Sequence, residues 1–265
     1  MIKRIKLFVN DNERSKNAAI IVGNVLKKKG FILDDINFDL GIAIGGDGSF
    51  LRMIKNSNFN SDKYYIGINS GTLGFLQEIK INDINNFVRE LAQGKYKVEE
   101  IGIQETTIYY NNSSSKFYSL NEIIVRDKDL KVVKLNIKID GDLLEKYIGD
   151  GILIATSTGS TAQNLSYGGS IVFNPFTSLQ ITPMAPINSK TYKSLVNSVI
   201  VPNKLLINLI PENIKNNLVL TIDGENNYYE NVTNIETKID DKKIKCLRLS
   251  HYNFPEKINE KILTD

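Results

Sequence analysis

Apolar positions in the first hundred residues follow two rhythms. Unbroken short runs, IKLFV at 5–9, LGIAI at 40–44 and YYIGI at 64–68, predict buried strands. Between the first two, Ala18, Ile21, Val22, Val25 and Leu26 recur at helical spacing, and Gly30 supplies the stop. FLRMIKN at 50–56 predicts a short helix directly after the second run. Further on, Asn82 is placed to cap a helix whose inner face is Ile84, Phe87, Val88 and Leu91, with Gly94 ending it. This alternation predicts a parallel sheet covered by helices.

From about residue 97 the rhythm changes. Runs rich in Ile, Val, Thr and Tyr are separated by the turn signals NNSSS at 111–115, DGD at 140–142, DGEN at 223–226 and DDKK at 240–243, which predicts successive antiparallel strands. Exceptions are a helix over 161–167, after a turn rich in Gly, Ser and Thr, and a helical FPEKINEKIL at 254–263. The expected plan is α+β overall. An α/β N-terminal domain with a parallel sheet spans 1–96, with the tail 250–265 packing back on it, and a β-rich antiparallel second domain spans 97–249.

Composition narrows the classes. With 265 residues, 42% hydrophobic and 24% charged, the chain has material for one or two domains and is too apolar to be disordered. Thirty-three basic against 30 acidic residues give a net charge of +3, which supports neither nucleic acid nor a membrane surface as partner. Cys246 has no second thiol to pair with, so disulfides and cysteine zinc sites are excluded and a cytoplasmic setting is expected. No apolar run reaches membrane-spanning length, and MIKRIKLFVN lacks the pattern of a signal peptide. A lone histidine, His251, excludes two-histidine metal sites and argues against a Ser-His-Asp triad.

The clearest chemical signal is Gly45-Gly46-Asp47-Gly48-Ser49, between a buried strand and a helix. Ligands collect at the carboxyl ends of strands in open α/β sheets, and glycines there let backbone N–H groups approach phosphate oxygens. A carboxylate in such a cradle is electrostatically awkward unless it acts as a base or meets a metal. Neither a P-loop nor a G-x-G-x-x-G follows the first strand, so the phosphate device is of another kind. Three more clusters stand out: NSGTLGFL at 69–76, Asn121-Glu122 ahead of an apolar run, and GDGILIATSTGSTAQN at 149–164. Tyr64, Tyr65, Tyr109 and Tyr110 read as strand and core residues, Arg126, Lys128 and Lys131 as a charged hairpin rim, and Lys27 to Lys29 as a solvated helix end.

GGDGSFLR, NSGTLGFL, NEIIV, GDGILIATSTGSTAQN with the following GGS, and ITPMAP occur in this order from 45 to 186. In these segments the chain resembles the NAD kinase family, whose members move the terminal phosphate of ATP to the adenosine-ribose 2′-hydroxyl of NAD. The resemblance implies Asp47 as the base, with Gly48 beside it on the dinucleotide. It implies that Asn121 and Glu122 hold NAD ribose and base, that Phe75 flanks the adenine with Ala185 near it, and that Asp150 reaches NAD, often across a subunit boundary. Thr161, Ala162, Gln163, Asn164, Leu165 and Ser166 match the segment lining the dinucleotide site. Gly45, Gly46, Ser49 and Arg52 fall to the phosphates of ATP, which arrives with Mg²⁺; no protein metal ligand is assigned. A homodimer or homotetramer is implied as well.

The chain departs from the family pattern at Ser157, usually proline, at Gln163, usually tyrosine, and at Ile148, commonly basic, which leaves Lys146 as a nearby cation. Two other readings stay open: a lipid kinase sharing the GGDG loop, and a non-catalytic dinucleotide sensor.

Overall fold

The computed structural model describes residues 2–71 and 74–264; Thr72 and Leu73 of the NSGTLGFL segment lie outside the described residues. The chain forms two compact units, Met1–Ile101 with Ile244–Asp265, and Gly102–Lys243.

The first unit opens with β1 (Arg4–Val9), α1 (Glu13–Lys28), β2 (Ile32–Leu33), β3 (Leu40–Gly45), α2 (Asp47–Asn56), β4 (Tyr64–Asn69), β5 (Ile79–Lys80) and α3 (Ile84–Ala92). Its strands run parallel in the order β2-β1-β3-β4, and Lys245 and Cys246 pair parallel to Tyr64 and Tyr65 on the far side of β4. Every residue of β3 is buried, as a central strand covered on both faces requires. The N-terminus of α1 is capped by Asn12, whose side chain accepts the Ser15 N–H at 2.8 Å, and Lys27 and Lys28 complement the dipole at its other end. Its inner face is narrower than the sequence stripe: Ala18, Val22 and Leu26 are buried, whereas Ile21 is 49% exposed on the flank. The chain enters α3 through a 3₁₀ turn, Ile81–Asp83, so Asn82 sits inside that turn and Asp83, not Asn82, occupies the cap position. Gly94, at φ +68°, makes the left-handed stop expected after α3.

The second unit takes in most of β6 (Tyr96–Tyr110), then β7 (Ser113–Ser119), β8 (Glu122–Asp127), β9 (Val133–Ile139), β10 (Asp142–Gly149), β11 (Gly151–Thr156), α4 (Gln163–Ser166), β12 (Ser178–Met184), β13 (Val199–Pro202), β14 (Ile207–Pro211), β15 (Asn217–Ile222), β16 (Glu225–Glu230) and most of β17 (Val232–Leu249). One antiparallel sheet has the order β13-β12-β11-β8-β15-β16. In the other, β10, β9, β14 and β17 follow one another and β6 pairs with both β17 and β7. Ile123, Val125, Ile152 and Ile154 of the first sheet pack with Ile137, Leu209 and Ile235 of the second. The expected hairpin turns are made by consecutive positive-φ pairs, Asn111-Asn112, Asp140-Gly141 and Asp223-Gly224.

DDKK at 240–243 is not a turn. β17 runs straight through it, with Asp240 accepting the Lys242 N–H locally, so the charges mark a solvated stretch of strand. The predicted 161–167 helix is split into a 3₁₀ turn, Thr158–Thr161, and the short α4. The units divide at 101/102 and 243/244, where the sequence pattern placed 96/97 and 249/250. Residues 244–249 belong to the first unit, pairing with β4 at Lys245 and Cys246 and giving Leu247 and Leu249 to its core. The tail forms α5 (Phe254–Ile258) and a π turn, Asn259–Leu263, both in the first unit. No helix among the described residues is long and apolar enough to cross a membrane, and Cys246 is a buried free thiol.

Candidate active site

Parallel pairing places Gly45 beside Asn69, so the loops leaving β3 and β4 lie next to each other at the carboxyl ends of the strands. Gly46 caps α2 and Asp47 is its first residue, half-buried, with Gly46 and Gly48 exposed on either side. The donors that hold the Asp47 carboxylate come from the neighbouring loop and not from the glycines. Oδ2 accepts the Phe75 N–H at 2.8 Å and Oδ1 the Leu76 N–H at 3.0 Å. Gly74 makes this approach possible, because a Cβ there would fall 1.9 Å from Asp47 Oδ1. Gln77 ties the two loops together from below: its Nε2 donates to Gly46 O at 2.8 Å, and its Oε1 lies where a Cβ on Gly67 would stand. Arg52 is exposed and its Nη2 donates to Asn10 Oδ1 and Ser49 Oγ, which holds a guanidinium beside the glycine loop. Ser49 is buried, and its N–H closes a turn to Gly46 O.

In the second unit, Asn121 and Glu122 lie at one end of β8 and are 7% and 3% exposed. Asp223 organises their backbone, accepting N–H groups from Leu120, Asn121 and Glu122 at 2.8, 2.8 and 3.2 Å. Gly159 packs directly on Asn121, where a Cβ would sit 2.0 Å from the Asn121 carbonyl oxygen. Thr156 locks the same corner through Leu120 O and the Gly159 N–H. Asn121 Oδ1 and Glu122 Oε2 are nonetheless buried with no hydrogen-bond partner. Burial, with Asp223 adding repulsion, pushes the Glu122 carboxyl up to about 8. Unmet buried polar atoms cost free energy, and a ligand offering hydroxyl or amine donors removes that cost.

The segment from Thr161 to Ser166 crosses the face of this sheet. Thr161, Ala162 and Leu165 are half-buried, and Gln163 and Ser166 are exposed. Asn164 is wholly buried, with Oδ1 accepting from Thr182 Oγ1 at 2.6 Å and Nδ2 directed at Ser160 O and Ser170 O; it fastens the segment to the sheet and does not face solvent. Ser157, in place of the family's proline, is also buried and donates to Phe176 O. Asp150 and Ala185 are exposed and adjacent, with the Asp150 N–H on Met184 O and Ala185 at φ +45°. Tyr147, buried beneath that turn, directs its hydroxyl at Gly151 O and Met184 O, both at 2.7 Å. Ile148 is buried, so it presents nothing at the basic position of the pattern.

Within each unit the predicted residues therefore gather into groups. Asp47, Gly48 and Phe75 meet in the first, and Asn121, Glu122 and Thr161 share one corner of the second. Asp150 and Ala185 do not join that corner. Glu122 pairs with Ala155 and Arg126 with Gly151, which puts them at the opposite end of β11, roughly 17 Å away at about 3.3 Å per residue. Gly74, Gln77 and Asp223 were not singled out from the sequence as site residues. Asp223 was visible only as part of a turn signal.

A carboxylate presented at parallel strand ends, with a second unit holding an unmet amide and acid, defines a nucleotide-directed α+β protein without a P-loop. Residues 7–96 match the ATP-NAD kinase N-terminal domain and residues 120–239 the ATP-NAD kinase C-terminal domain. The chain belongs to the ATP-NAD kinase family. The NAD kinase of Finegoldia magna is 41% identical over 254 residues, 92% of each chain, and that of Streptococcus pneumoniae 34% identical over 263 residues, 97% of this chain and 95% of its own. The crystal structure of yeast NADH kinase complexed with NADH shares the fold with a TM-score of 0.85 at 22% identity, covering 100% of this chain and 90% of that one. The NAD kinase from Archaeoglobus fulgidus in complex with ATP gives 0.75 at 18% identity, over 98% of both.

Proposed function

We propose that this protein transfers the γ-phosphate of ATP to the 2′-hydroxyl of the adenosine ribose of NAD, with Asp47 as the general base. The observation that carries the reading is the pair of unpartnered buried acceptors, Asn121 Oδ1 and Glu122 Oε2, which suits the hydroxyls and amine of an adenosine. Asp47 keeps a lone pair on each oxygen beyond the N–H bonds it accepts, enough to take the hydroxyl proton as the phosphoryl group arrives. Phosphoryl transfer asks chiefly for alignment and charge neutralisation. Gly45, Gly46, Ser49 and Arg52 line the loop assigned to the ATP phosphates, and Arg52 is the cation there. Mg²⁺ would arrive on the triphosphate and there offset its charge. A cytoplasmic location fits the buried free thiol.

The separation of Asp150 and Ala185 from the Asn121 corner supports a homo-oligomer in which they serve a neighbouring copy's dinucleotide. Mixing Asp47→Asn and Asp150→Asn subunits, each impaired alone, should then restore part of the activity in an NADP-formation assay. Mixtures no better than their components would return Asp150 to its own subunit.

Glu122 makes NAD binding pH-linked. With its carboxyl near 8, the free protein holds it mostly protonated at pH 7, whereas ribose hydroxyl donors favour the carboxylate. NAD binding at pH 7 is expected to release a proton, read by calorimetry in buffers of different ionisation enthalpy. Glu122→Gln should abolish the release and weaken NAD about tenfold. The folded protein also binds an extra proton between about pH 4.5 and 8, so wild-type stability should fall across that window more than the variant's.

The deciding assay supplies NAD or NADH, ATP and Mg²⁺ and follows NADP(H) with an NADP-specific dehydrogenase. ATP-dependent product supports the proposal. Calorimetric NAD binding without product would make the chain a sensor, and phosphorylation of a diacylglycerol instead would make it a lipid kinase.

A further inference from the structure

The C-terminal segment places a buried cation against the loop that holds Asp47. Lys257, on α5, is 7% exposed, and its ammonium makes two hydrogen bonds and an ion pair inside the first unit. It donates to Phe75 O at 3.1 Å and Gln77 O at 2.6 Å, and lies 3.7 Å from Glu78 Oε2. Phe75 is the residue whose N–H binds Asp47, and Gln77 is the one whose side chain ties down Gly46. The same ammonium thus holds the Phe75 carbonyl, which shares its peptide with the Leu76 N–H on Asp47, and the residue that ties down Gly46. The ring of Phe254, one turn earlier on α5, stands 6.4 Å from that of Phe75.

We infer that Lys257 is a positioning residue for Asp47, clamping the carbonyls of Phe75 and Gln77 so that the Phe75 and Leu76 N–H groups stay aimed at the carboxylate. The inference rests on the reading of Asp47 as the base. A loop carbonyl cannot hold an aim by itself, because its peptide can rotate. A cation bonded to two carbonyls in the same turn removes that freedom, and charge-assisted bonds are the stronger kind.

The clamp is open to titration. Burial lowers the Lys257 pKa to about 8; Glu78 opposes that shift, Arg248 adds to it and Asp47 opposes it. Tyr252, whose ring lies 5.1 Å from the ammonium, Glu99, held on Arg248, and the buried thiol of Cys246 also act around it, and His251 and Glu256 line the same cleft. Above pH 8 the neutral amine holds the carbonyls more weakly. Between about 8 and the ordinary 10.5, the folded protein carries fewer protons than the unfolded chain, so this group's effect on stability improves as pH rises. Turnover and stability should therefore move in opposite directions there, which a residue serving stability alone would not produce.

The test compares wild type with Lys257→Met, which keeps most of the apolar stem and loses the charge, and with Lys257→Arg. The Met variant should lose about 10- to 100-fold in kcat at pH 7 with KM for NAD changed less than about threefold, and lose the wild-type decline above pH 8. The Arg variant should recover part of kcat and hold it to higher pH. Amide exchange at Phe75 and Leu76, measured without substrate, should quicken in the Met variant. Unchanged exchange and unchanged kcat in a folded Met variant overturn the inference. If that variant does not fold, wild-type exchange at pH 7 and 9.5 decides: after correction for base catalysis, Phe75 and Leu76 must accelerate more than Ile42 of β3, and equal acceleration overturns it. Because exchange does not depend on turnover, an active Asp47→Asn protein would discard the base while leaving the clamp standing.

Discussion

Replacing Asp47 with asparagine is expected to lower kcat by about 10²- to 10⁴-fold, the usual worth of a general base, with KM for NAD little changed. The side chain keeps its size, so the dinucleotide loses no volume. The change removes the proton acceptor and turns one carboxylate oxygen into a donor that must face either the Phe75 or the Leu76 N–H. A donor opposed to a donor costs about 1–3 kcal/mol locally, so some of the loss belongs to the loop and not to the base. Exchange at Phe75 and Leu76 separates the two: a variant with wild-type exchange and lost turnover isolates the base. Turnover within a factor of three of wild type would remove Asp47 from the chemistry.

Arg248→Met is expected to destabilise the first unit by about 3–5 kcal/mol, roughly 10 °C in melting temperature, although it lies outside the reacting groups. Arg248 is 5% exposed and meets Glu99 at 2.6 Å and Glu78 at 3.4 Å; Glu78 also accepts the Leu249 N–H. Removing the guanidinium leaves the Glu78 side chain, 2% exposed, relying on Lys257 at 3.7 Å. Uncompensated buried charge is what makes such deletions costly, so a second change, Glu78→Gln, should recover part of the loss. A single variant melting within 2 °C of wild type in differential scanning calorimetry would show that the buried pair contributes nothing net.

The plan of both units was legible because each depends on local rhythm. Three unbroken apolar runs marked β1, β3 and β4, and an Asn-Asn and two Asp-Gly pairs marked the hairpins. The failures were also local. DDKK carries turn residues but sits in a strand whose hydrogen bonds are made by distant partners, and Asn82 has cap chemistry but falls inside a preceding 3₁₀ turn. Site residues divide the same way. The GGDG loop announces itself by glycines after a buried strand. The amides that hold Asp47 come from 28 and 29 residues away, and any residue has an N–H to offer. Asn164 belongs to a segment that resembles a dinucleotide lining, yet Thr182, 18 residues on, claims its side chain. Lys257 lies in a tail whose sequence says only that it is helical, and its burial depends on Phe75, Gln77 and Glu78, about 180 positions earlier.

The first unit is assembled from the two ends of the chain, and that has a consequence for synthesis. Glu78 and its partner Arg248 are 170 positions apart. At about 5–20 residues per second, a nascent chain exposes Glu78 for roughly 10 to 30 s before the guanidinium is made. The opening α/β segment therefore emerges before either cation that meets Glu78, and the loop facing Asp47 has no Lys257 to hold it until the tail is made.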